Sequence, residues 1–376
     1  MSDFDADHAA PTAPEDEPRG DLEVVHEFTD GPMPTGVSVS HGGRVFVNFP
    51  KWGDDVPATV VELVNGQAVP YPSVEINQAR SIDDAERLVS VQSIVVAPDD
   101  RLWILDTGSP MMGPTKEGGP KLVCVDLGTD RVVQTIVLPR SVAYETTYLN
   151  DVRFDLRRGE AGFAFVTDSA SEGPNAIIVV DLATGEAWRR LEDHPSTKAC
   201  PPQDMVPMAE GRVLAQRAPG AAPKPVTMGA DGIAISADGE RLWYCPLISR
   251  RWYSVSVGAL VDRAISEETV AGTVVDEGDK GGGADGLESD DQGRLYATNW
   301  EHESITRRLP TGEIQTLVHD PRLLWTDTMS VATDGYLYVT ANQLHRQADY
   351  QGGEDLRVYP YSLFRFRIDA GPVLLR

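Results

Sequence analysis

The feature that most constrains the fold is a short plan that recurs six times along the chain. Each copy has a polar residue, a short apolar strand, a tight turn at Gly or Asp, and a second strand of the type LY, LW or VF; DGLESDDQGRLYATN is an example. Between copies the chain supplies a further hairpin, indicated by alternating apolar residues and turns rich in Gly, Asn, Asp and Thr. The copies open at Thr35, Gln92, Asn150, Asp231, Asp285 and Asp327.

Two hairpins per copy make a four-stranded antiparallel unit, which cannot bury both of its faces alone. Stacked units at a period of roughly 40 to 60 residues are typical of propeller blades. We therefore predict an all-β fold, a six-bladed β-propeller over residues 21–376; an irregular β-sandwich is the alternative. LEVVHEF and YSLFRFRID, near the two ends of the sequence, alternate like strands. We expect these N- and C-terminal strands to close the last blade together, which removes exposed edges.

The six opening residues define the predicted site. The first strand of each propeller blade lines the central channel, so residues at one early position should converge on one channel mouth. Three carboxylates there would repel one another unless protons or a cation compensated them. Oxygen donors suit a hard divalent ion; Ca²⁺ is the first candidate, with Mg²⁺, Mn²⁺ and Zn²⁺ as the others. The alternative is that each Asp caps a turn by accepting backbone N–H groups.

Composition excludes some partners and motifs exclude some chemistries. A formal net charge of −25 opposes binding to nucleic acid or to an anionic membrane, and the sequence has no apolar run of membrane-spanning length. Three widely spaced cysteines without a zinc or disulfide pattern fit a reducing compartment. G-x-S-x-G, HExxH, CxxC and the dinucleotide fingerprint are absent. We expect a cytoplasmic monomer that acts on, or binds, a small molecule.

Three segments stand outside the repeats. Residues 1–20 are acidic and rich in Ala and Pro, which predicts a disordered tail. Residues 190–229 form a long interval that is either a lid over the channel mouth or a surface excursion. The glycine-rich residues 276–286 lack a phosphate-loop ending and EF-hand spacing, so we expect a mobile loop. Some His and Trp side chains near loops could line a pocket; the alternative is that they pack between blades. These residues are Trp52, Trp300, His302, Trp325 and His345.

Several segments resemble the major royal jelly protein/Yellow family in a bacterial-type version. They are YLNDVRFD, AFVTDSASEGPNAIIVVDLATGEAWRRLEDHPS, DGIAISADGERLWYCPLISRRWYSV and LWTDTMSVATDGYLYVTANQL. That family is more distantly similar to the gluconolactonase and regucalcin (senescence marker protein) group, six-bladed propellers with a divalent ion in the channel. The first resemblance covers nearly the whole chain from about residue 22.

The distant resemblance implies roles for particular residues. Asn150 matches an asparagine that lies between metal and substrate, and Asp231 matches an Asn metal ligand, which leaves Asn150, Asp231 and Asp285 as the implied metal set. Asp285 also matches the aspartate proposed as general base, so it is the implied catalytic residue. The lactonases have a glutamate in the first blade where this chain has Thr35; Asp327 is the residue able to compensate.

Two hypotheses of different classes follow. The first is a metal-dependent, gluconolactonase-like enzyme that hydrolyses a lactone or similar cyclic metabolite, with Asp285 as the base and Thr35, Gln92, Asn150 and Asp327 contacting the substrate. The second is a non-catalytic propeller that binds a small amine or aromatic metabolite, or an isomerase of pigment-type intermediates. A protein-interaction scaffold is disfavoured, because a scaffold has no need of carboxylates at equivalent channel positions.

Overall fold

A computed structural model describes residues 17–78 and 82–376 of the chain. It contains six four-stranded sheets, each with its strands paired in antiparallel fashion to their neighbours. The prediction of a six-bladed β-propeller is confirmed. Blades are numbered here by the chain order of their inner strands. Among the described residues, no helix is both long and apolar enough to cross a membrane.

The first three blades follow the chain without interruption from inner to outer strand. Their strands are, for blade one, Gly36–Val39, Val45–Asn48, Val60–Val64 and Gln67–Pro70; for blade two, Val91–Val96, Arg101–Asp106, Lys121–Asp126 and Arg131–Val137; and for blade three, Leu149–Asp155, Phe163–Asp168, Ala176–Asp181 and Ala187–Arg190.

The last three blades include the one that combines strands from both ends of the chain. Their strands are, for blade four, Ala230–Ile235, Arg241–Pro246, Arg251–Ser256 and Val275–Asp279; for blade five, Leu287–Ser289, Leu295–Asn299, Ser304–Arg308 and Ile314–His319; and for blade six, Thr326–Val331, Tyr336–Ala341, Tyr361–Arg367 and the N-terminal strand Glu23–Phe28. Glu23–Phe28 pairs with Tyr361–Arg367, so the predicted closure across the two ends of the chain is confirmed.

The remaining elements are short and lie in the connections. Two small hairpins interrupt the interval between blades three and four. The α-helices are Val74–Gln78, Val257–Val261 and Glu267–Ala271; the 3₁₀ helices are Pro110–Met112, Pro195–Thr197, Leu344–Arg346 and Ala348–Tyr350; and the hairpins pair Met208–Ala209 with Arg212–Val213 and Ala215–Gln216 with Lys224–Pro225.

The predicted tail, residues 1–20, lies mostly outside the described residues. Its last part is placed: Arg19 pairs with His319 at the outer edge of blade five through two backbone hydrogen bonds, of 2.7 and 3.0 Å. The chain therefore contacts the propeller before the first strand begins at Glu23.

Side-chain hydroxyls join the inner strands of neighbouring blades. Ser38 accepts a hydrogen bond from the Val96 backbone N–H at 2.8 Å, and the Ser289 hydroxyl donates to the Ile235 carbonyl at 2.6 Å. Strand edges that face the channel would otherwise leave backbone groups unpaired, which is costly when they are buried. These bonds fix the rotation of each blade relative to the next, and with it the directions of the channel-lining side chains.

In blades two and three, a carboxylate at the end of the second strand holds the start of the inner strand. Asp106 accepts the backbone N–H groups of Val89 and Ser90 at 2.6 and 2.9 Å, and its charge is paired with buried Lys121 at 2.8 Å. Asp168 accepts the Tyr148 N–H at 3.0 Å. A carboxylate that accepts backbone N–H groups is well satisfied although buried, so each of these two inner strands enters the channel at a defined point.

The end of the channel opposite the ring is closed by the last residues of the chain. The Leu375 carbonyl accepts the Leu156 N–H of blade three at 2.8 Å, and Pro372 bridges to Asp290 of blade five. The ring described below therefore lies in a channel that is covered at this end.

The glycine that follows Asp231 and Asp285 serves close packing between blades. A Cβ placed on Gly232 would lie 2.3 Å from the Asp285 carbonyl oxygen, and one on Gly286 would lie 2.3 Å from the Asp327 carbonyl oxygen. Neither glycine has a positive φ angle. The Asp-Gly pairs therefore mark the places where adjacent inner strands approach most closely.

We predict that Gly232→Ala destabilises the fold by about 1–3 kcal/mol, the usual cost of forcing extra atoms into a packed site. Gly42→Ala is the matched control, since its added Cβ would meet its nearest atom only at 3.8 Å. Chemical denaturation of both variants is the measurement. Equal stability of the two would contradict the packing explanation.

Candidate functional site

The six predicted ring residues converge at one end of the channel. Each lies at or just before the start of an inner strand, and all are buried, with exposed fractions between 0 and 6%. Contacts link neighbours around the ring: Thr35 to the Gln92 carbonyl at 3.4 Å, Gln92 to Asn150 at 3.3 Å, and Asp231 to Asp285 by a side-chain hydrogen bond.

Four ring residues sit in β-bulges. In blades two, three, four and six the inner strand carries one extra residue relative to its partner strand, between Val91 and Ser93, Leu149 and Val152, Ala230 and Ile233, and Thr326 and Met329. A bulge bends the strand locally and re-aims a side chain. The bulges explain how polar side chains turn into the channel from strands that are otherwise apolar.

The acidic half of the ring is Asp231, Asp285 and Asp327, which we call the acidic arc. Asp285 accepts the Trp325 indole N–H at 2.8 Å, and Asp327 accepts the Asn342 amide at 2.8 Å. The Oδ2 atom of Asp231 is buried without a hydrogen-bond partner. None of the three carboxylates accepts a backbone N–H in the contacts described, so the turn-cap alternative does not account for them.

Burial raises the pKa values of the acidic arc, and the mutual repulsion of the carboxylates adds to the effect for Asp231 and Asp327. The pKa of Asp285 is raised to about 6, while its hydrogen bonds from Asp231 and Trp325 act in the opposite direction. The pKa values of Asp231 and Asp327 are raised well above the ordinary range, first by burial and then by the Asp285 charge. The hydrogen bond between the two carboxyl groups raises the pKa of Asp231 and lowers that of Asp285, so Asp231 is the partner in which the protonated form is favoured.

The other half of the ring is neutral and forms a chain of hydrogen bonds, which we call the donor arc. Trp52 Nε1 donates to the Tyr148 hydroxyl at 2.7 Å, and this hydroxyl donates to Gln92 Oε1 at 3.2 Å. Gln92 Nε2 then donates to Asn150 Oδ1 at 3.3 Å, and Asn150 Nδ2 to Ser169 Oγ at 3.1 Å.

Tyr148 was missed by the sequence argument, although it lies only two residues before Asn150. Its position on a loop of blade three gave no repeat signal. Trp52, on a loop of blade one, was a candidate pocket wall, and its contact with Tyr148 places it at the ring. Thr35 stands apart from both arcs: its hydroxyl accepts from Asn48 at 2.9 Å and donates to a backbone carbonyl, so its only proton is already used within the fold.

Three stacked rings support the acidic arc. Trp300 and Trp325 lie 4.9 Å apart at an interplanar angle of 13°, and His345 stacks on Trp325 at 5.8 Å and 22°. Trp325 has φ of 51°, a strained conformation for an aromatic residue. The stack fixes the indole that donates to Asp285. His302, by contrast, is exposed, and its carbonyl oxygen contacts the His319 ring.

The glycine-rich segment 276–286 packs beneath this stack. A Cβ on Gly283 would lie 2.1 Å from the Trp300 ring, and one on Gly282 would lie 2.2 Å from Asn299 Oδ1. We expected a mobile loop here; the structure instead uses these glycines to bring the backbone against Trp300 and Asn299.

The long interval between blades three and four packs over the ring end of the channel. We call residues 191–229 the lid segment. Its buried side chains share one apolar cluster with Tyr148, Trp300, Trp325 and Tyr350; they are Met205, Ala209, Leu214, Val226 and Met228. Of the two alternatives for this interval, the structure favours the lid.

A charged contact holds the tip of the lid segment. Glu210 Oε2 lies 2.5 Å from His345 Nε2 and 2.7 Å from Arg346 Nε; we call this contact the Glu210 clamp. The hydrogen bonds from Arg346 and then from His345 lower the Glu210 pKa. Nearby, Glu301 accepts the Met208 backbone N–H at 3.1 Å. Because His345 stacks on Trp325, the clamp connects the lid to the indole that donates to Asp285.

A metal ion at the ring would need amide as well as carboxylate oxygens. Within residues 17–78 and 82–376, no group of three or more His, Cys, Asp or Glu side chains is arranged to hold an ion. The residues predicted to bind a metal therefore offer three oxygen donors, the carboxylates of Asp231 and Asp285 and the amide oxygen of Asn150. The unpartnered Oδ2 of Asp231 is a buried lone-pair donor of the kind a cation would satisfy.

Fold and site together define a six-bladed propeller with a covered, acidic channel site. The sequence matches the family model "Major royal jelly protein" over residues 89–361, and the chain belongs to that family. Protein yellow of Drosophila erecta is 28% identical over 254 residues, which cover 63% of this chain and 43% of the fly protein. Protein yellow of Drosophila melanogaster is 27% identical with the same coverage. The chain spans less than half the length of these relatives.

Solved structures agree on the fold. Regucalcin of Agrobacterium tumefaciens, described as a calcium-binding protein, superposes with a TM-score of 0.54 at 14% identity and covers 94% of this chain and 98% of its own. A gluconolactonase from Xanthomonas campestris gives 0.52 at 12% identity, with 91% and 88% covered. At these identities the likeness shows the propeller fold alone.

The raised pKa values predict how stability depends on pH in a chelator. A carboxyl group whose folded pKa exceeds its unfolded value stabilises the native state below about pH 4, and this stabilisation is lost as pH rises through the folded pKa. For Asp285 that window runs from about pH 4 to about 6, and the pKa of Asp231 is shifted in the same direction. Asp231→Asn cannot ionise in either state, so it should raise the melting temperature more at pH 8 than at pH 5.

Scanning calorimetry with EDTA at the two pH values checks this. Asp30→Asn, at an exposed position, is the control and should shift both melting temperatures equally. If Asp231→Asn behaves like the control, the Asp231 carboxyl is not protonated in the folded protein.

The Glu210 clamp predicts local opening of the lid. Glu210→Gln removes the ion pair with Arg346, so the 208–213 hairpin should exchange its amide hydrogens about three- to tenfold faster, as expected for losing roughly 1 kcal/mol of local stability. Hydrogen exchange read by mass spectrometry is the measurement. Glu240→Gln, which removes a distant pair with Arg158, should leave the hairpin unchanged; equal effects would refute the clamp.

Proposed function

We propose that the protein is an enzyme of the gluconolactonase type that opens a lactone, or a similar cyclic metabolite, by hydrolysis at the ring. The observation that carries this proposal is the buried Asp231 and Asp285 pair. Asp285 has a pKa raised to about 6, and a carboxylate whose pKa lies near the working pH is well suited to act as a general base.

In this mechanism Asp285 accepts a proton from the water that attacks the substrate carbonyl carbon. The ring C–O bond then breaks, and the leaving oxygen takes a proton to give the hydroxy acid. Gln92 and Asn150 orient the substrate, and Asp327 contacts its hydroxyl groups. Trp325 holds Asp285 in place through its 2.8 Å hydrogen bond, which leaves the second carboxylate oxygen to receive the proton.

A divalent ion, with Ca²⁺ as the first candidate, fits the donor set. Asn150, Asp231 and Asp285 would hold it, all three being oxygen donors, the type that Ca²⁺ and Mg²⁺ prefer. When bound, such an ion polarises the carbonyl and lowers the pKa of water. With two carboxylates rather than three, we expect weaker binding than in a fully acidic site. Mg²⁺, Mn²⁺ and Zn²⁺ are the other candidates.

One observation favours a second candidate, a propeller that binds a small amine or aromatic metabolite without turnover. The first blade has the neutral Thr35 hydroxyl, which is bonded to Asn48 and to a backbone carbonyl, so it adds no negative charge where a lactonase has a glutamate. An ammonium group can compensate the acidic arc in place of a metal ion. An isomerase of pigment-type intermediates would use Asp285 to move a proton without water.

The wider setting of the proposal is a cytoplasmic monomer that acts on a small molecule and binds neither nucleic acid nor membrane. Cys124, Cys200 and Cys245 are free thiols, and the net charge of −25 disfavours polyanionic partners. Cell fractionation and sedimentation test these two statements directly.

Metal dependence and turnover can be tested together. After chelation, adding back Ca²⁺ should raise the melting temperature of the wild type by mass action. Asp285→Asn should abolish that rise and lower lactone hydrolysis by about 100-fold or more, the usual contribution of a general base. Asp231→Asn leaves the Asp285 carboxylate, and with it the negative charge of that residue, in place, so it should retain the response to Ca²⁺.

The readouts are calorimetry and a titration of acid release over a panel of lactones, with Asp30→Asn as control. If hydrolysis persists in Asp285→Asn, the general-base role is wrong. If the wild type binds an amine panel and hydrolyses no lactone, the second candidate replaces the first.

A further inference from the structure

The donor arc has a fixed direction. The Trp52 indole N–H can only donate, and it donates to the Tyr148 hydroxyl at 2.7 Å. The Tyr148 proton must therefore point elsewhere, and it points to Gln92 Oε1. Trp52 thus determines where the Tyr148 O–H is aimed, although Trp52 itself is only half-buried on its loop.

The two bonds at Gln92 are long. O–H···O bonds in proteins cluster near 2.7–2.8 Å and N–H···O bonds near 2.9–3.0 Å. The O–H···O bond from Tyr148 to Gln92 is 3.2 Å, and the N–H···O bond from Gln92 to Asn150 is 3.3 Å. Long bonds are weaker, so a ligand oxygen that replaces either partner costs little. The Trp52 to Tyr148 bond, being short, should persist when a ligand enters.

The Tyr148 hydroxyl belongs to the ring through its bond to Gln92. A phenol keeps its proton at neutral pH, so it is a neutral O–H donor. The side chain is 4% exposed. The ring therefore presents O–H and N–H donors on one side and carboxylate oxygens on the other.

We propose that Tyr148 is a substrate-binding residue aimed by Trp52 as a positioning residue, and that its O–H binds the carbonyl oxygen of a cyclic ester or amide. The carbonyl dipole then lies across the ring, with its oxygen towards Tyr148 and Gln92 Nε2 and its carbon towards Asp285. This inference rests on the proposed function and narrows it: the ligand is an uncharged, carbonyl-bearing ring rather than an amine. Once the ligand has replaced their present partners, Gln92 Oε1 and Asn150 Oδ1, these donors need not reorganise again when negative charge develops on that oxygen.

A purely structural role for Tyr148 is the competing explanation, since its ring also belongs to the apolar cluster under the lid. Tyr148→Phe separates the two, because it keeps the ring and its packing and removes only the hydroxyl. Trp52→Phe keeps Tyr148 and removes the donor that aims it. Tyr144→Phe, which removes a surface hydroxyl bonded to Glu192, is the matched control.

The probes are hydrolysis-resistant lactams paired with amines that lack the carbonyl group: δ-valerolactam against piperidine, and 3,4-dihydro-2-quinolinone against 1,2,3,4-tetrahydroquinoline. Binding is measured by calorimetry on the full chain with and without Ca²⁺. We expect each lactam to bind better than its amine. Tyr148→Phe should weaken lactam binding about tenfold, as for one lost hydrogen bond, and Trp52→Phe about threefold. Tyr144→Phe should change nothing.

The proposal is overturned if neither lactam binds the wild type, if the amines bind better, or if a Tyr148→Phe protein with wild-type melting temperature binds the lactams unchanged. If that variant does not fold, Trp52→Phe decides by the same comparison. Failure of the proposed function looks different. If lactams bind in a Tyr148-dependent way but the protein neither binds Ca²⁺ nor hydrolyses lactones, this inference stands and the hydrolase proposal is wrong. If hydrolysis depends on Asp285 and is unchanged in Tyr148→Phe, the hydrolase proposal stands and this inference is wrong.

Discussion

The burial of three carboxylates at one channel mouth is the constraint on which the rest of the site depends. A buried carboxylate needs a proton, a cation or hydrogen-bond donors. Here burial and the neighbouring Asp285 raise the pKa of Asp231, which shares a hydrogen bond with Asp285, while Trp325 and Asn342 donate to Asp285 and Asp327. Bulges, hydroxyl bridges and the Asp-Gly contacts all bring these side chains to one place. Burying these carboxylates therefore lowers the stability of the fold while it shifts their pKa values, a combination that is common where ionisable groups are functional.

The lid segment covers the buried carboxylates and so also controls access to them. It packs over the ring end of the channel, and its Glu210 clamp acts on His345, which stacks on the same Trp325 that donates to Asp285. Opening of the lid would admit water and lower the cost of ionising the acidic arc. The lid segment and Asp285 are therefore connected through a short series of direct contacts.

The sequence predicts the blades, their closure and the ring, because a repeat of fixed period places equivalent residues at equivalent points of a cyclic fold. It could not predict the bulges that aim Gln92, Asn150, Asp231 and Asp327, since a bulge depends on the register of the partner strand. Nor could it predict contacts between loops of different blades. Trp52 and Tyr148 are 96 positions apart, and Glu210 and His345 are 135 apart. The reason for glycine at positions 232 and 286 is also visible only in the structure, where a carbonyl oxygen of the neighbouring blade lies too close for a Cβ atom.

In the function that we propose, the Asp231 and Asp285 pair holds a proton that a divalent ion would replace. Calorimetric titration of the chelated protein with Ca²⁺ at pH 7, repeated in buffers of different ionisation enthalpy, counts the protons released. The account predicts about one proton released per bound ion in the wild type and close to none in Asp231→Asn. Ca²⁺ binding to the wild type without proton release, or no binding at all, would contradict it.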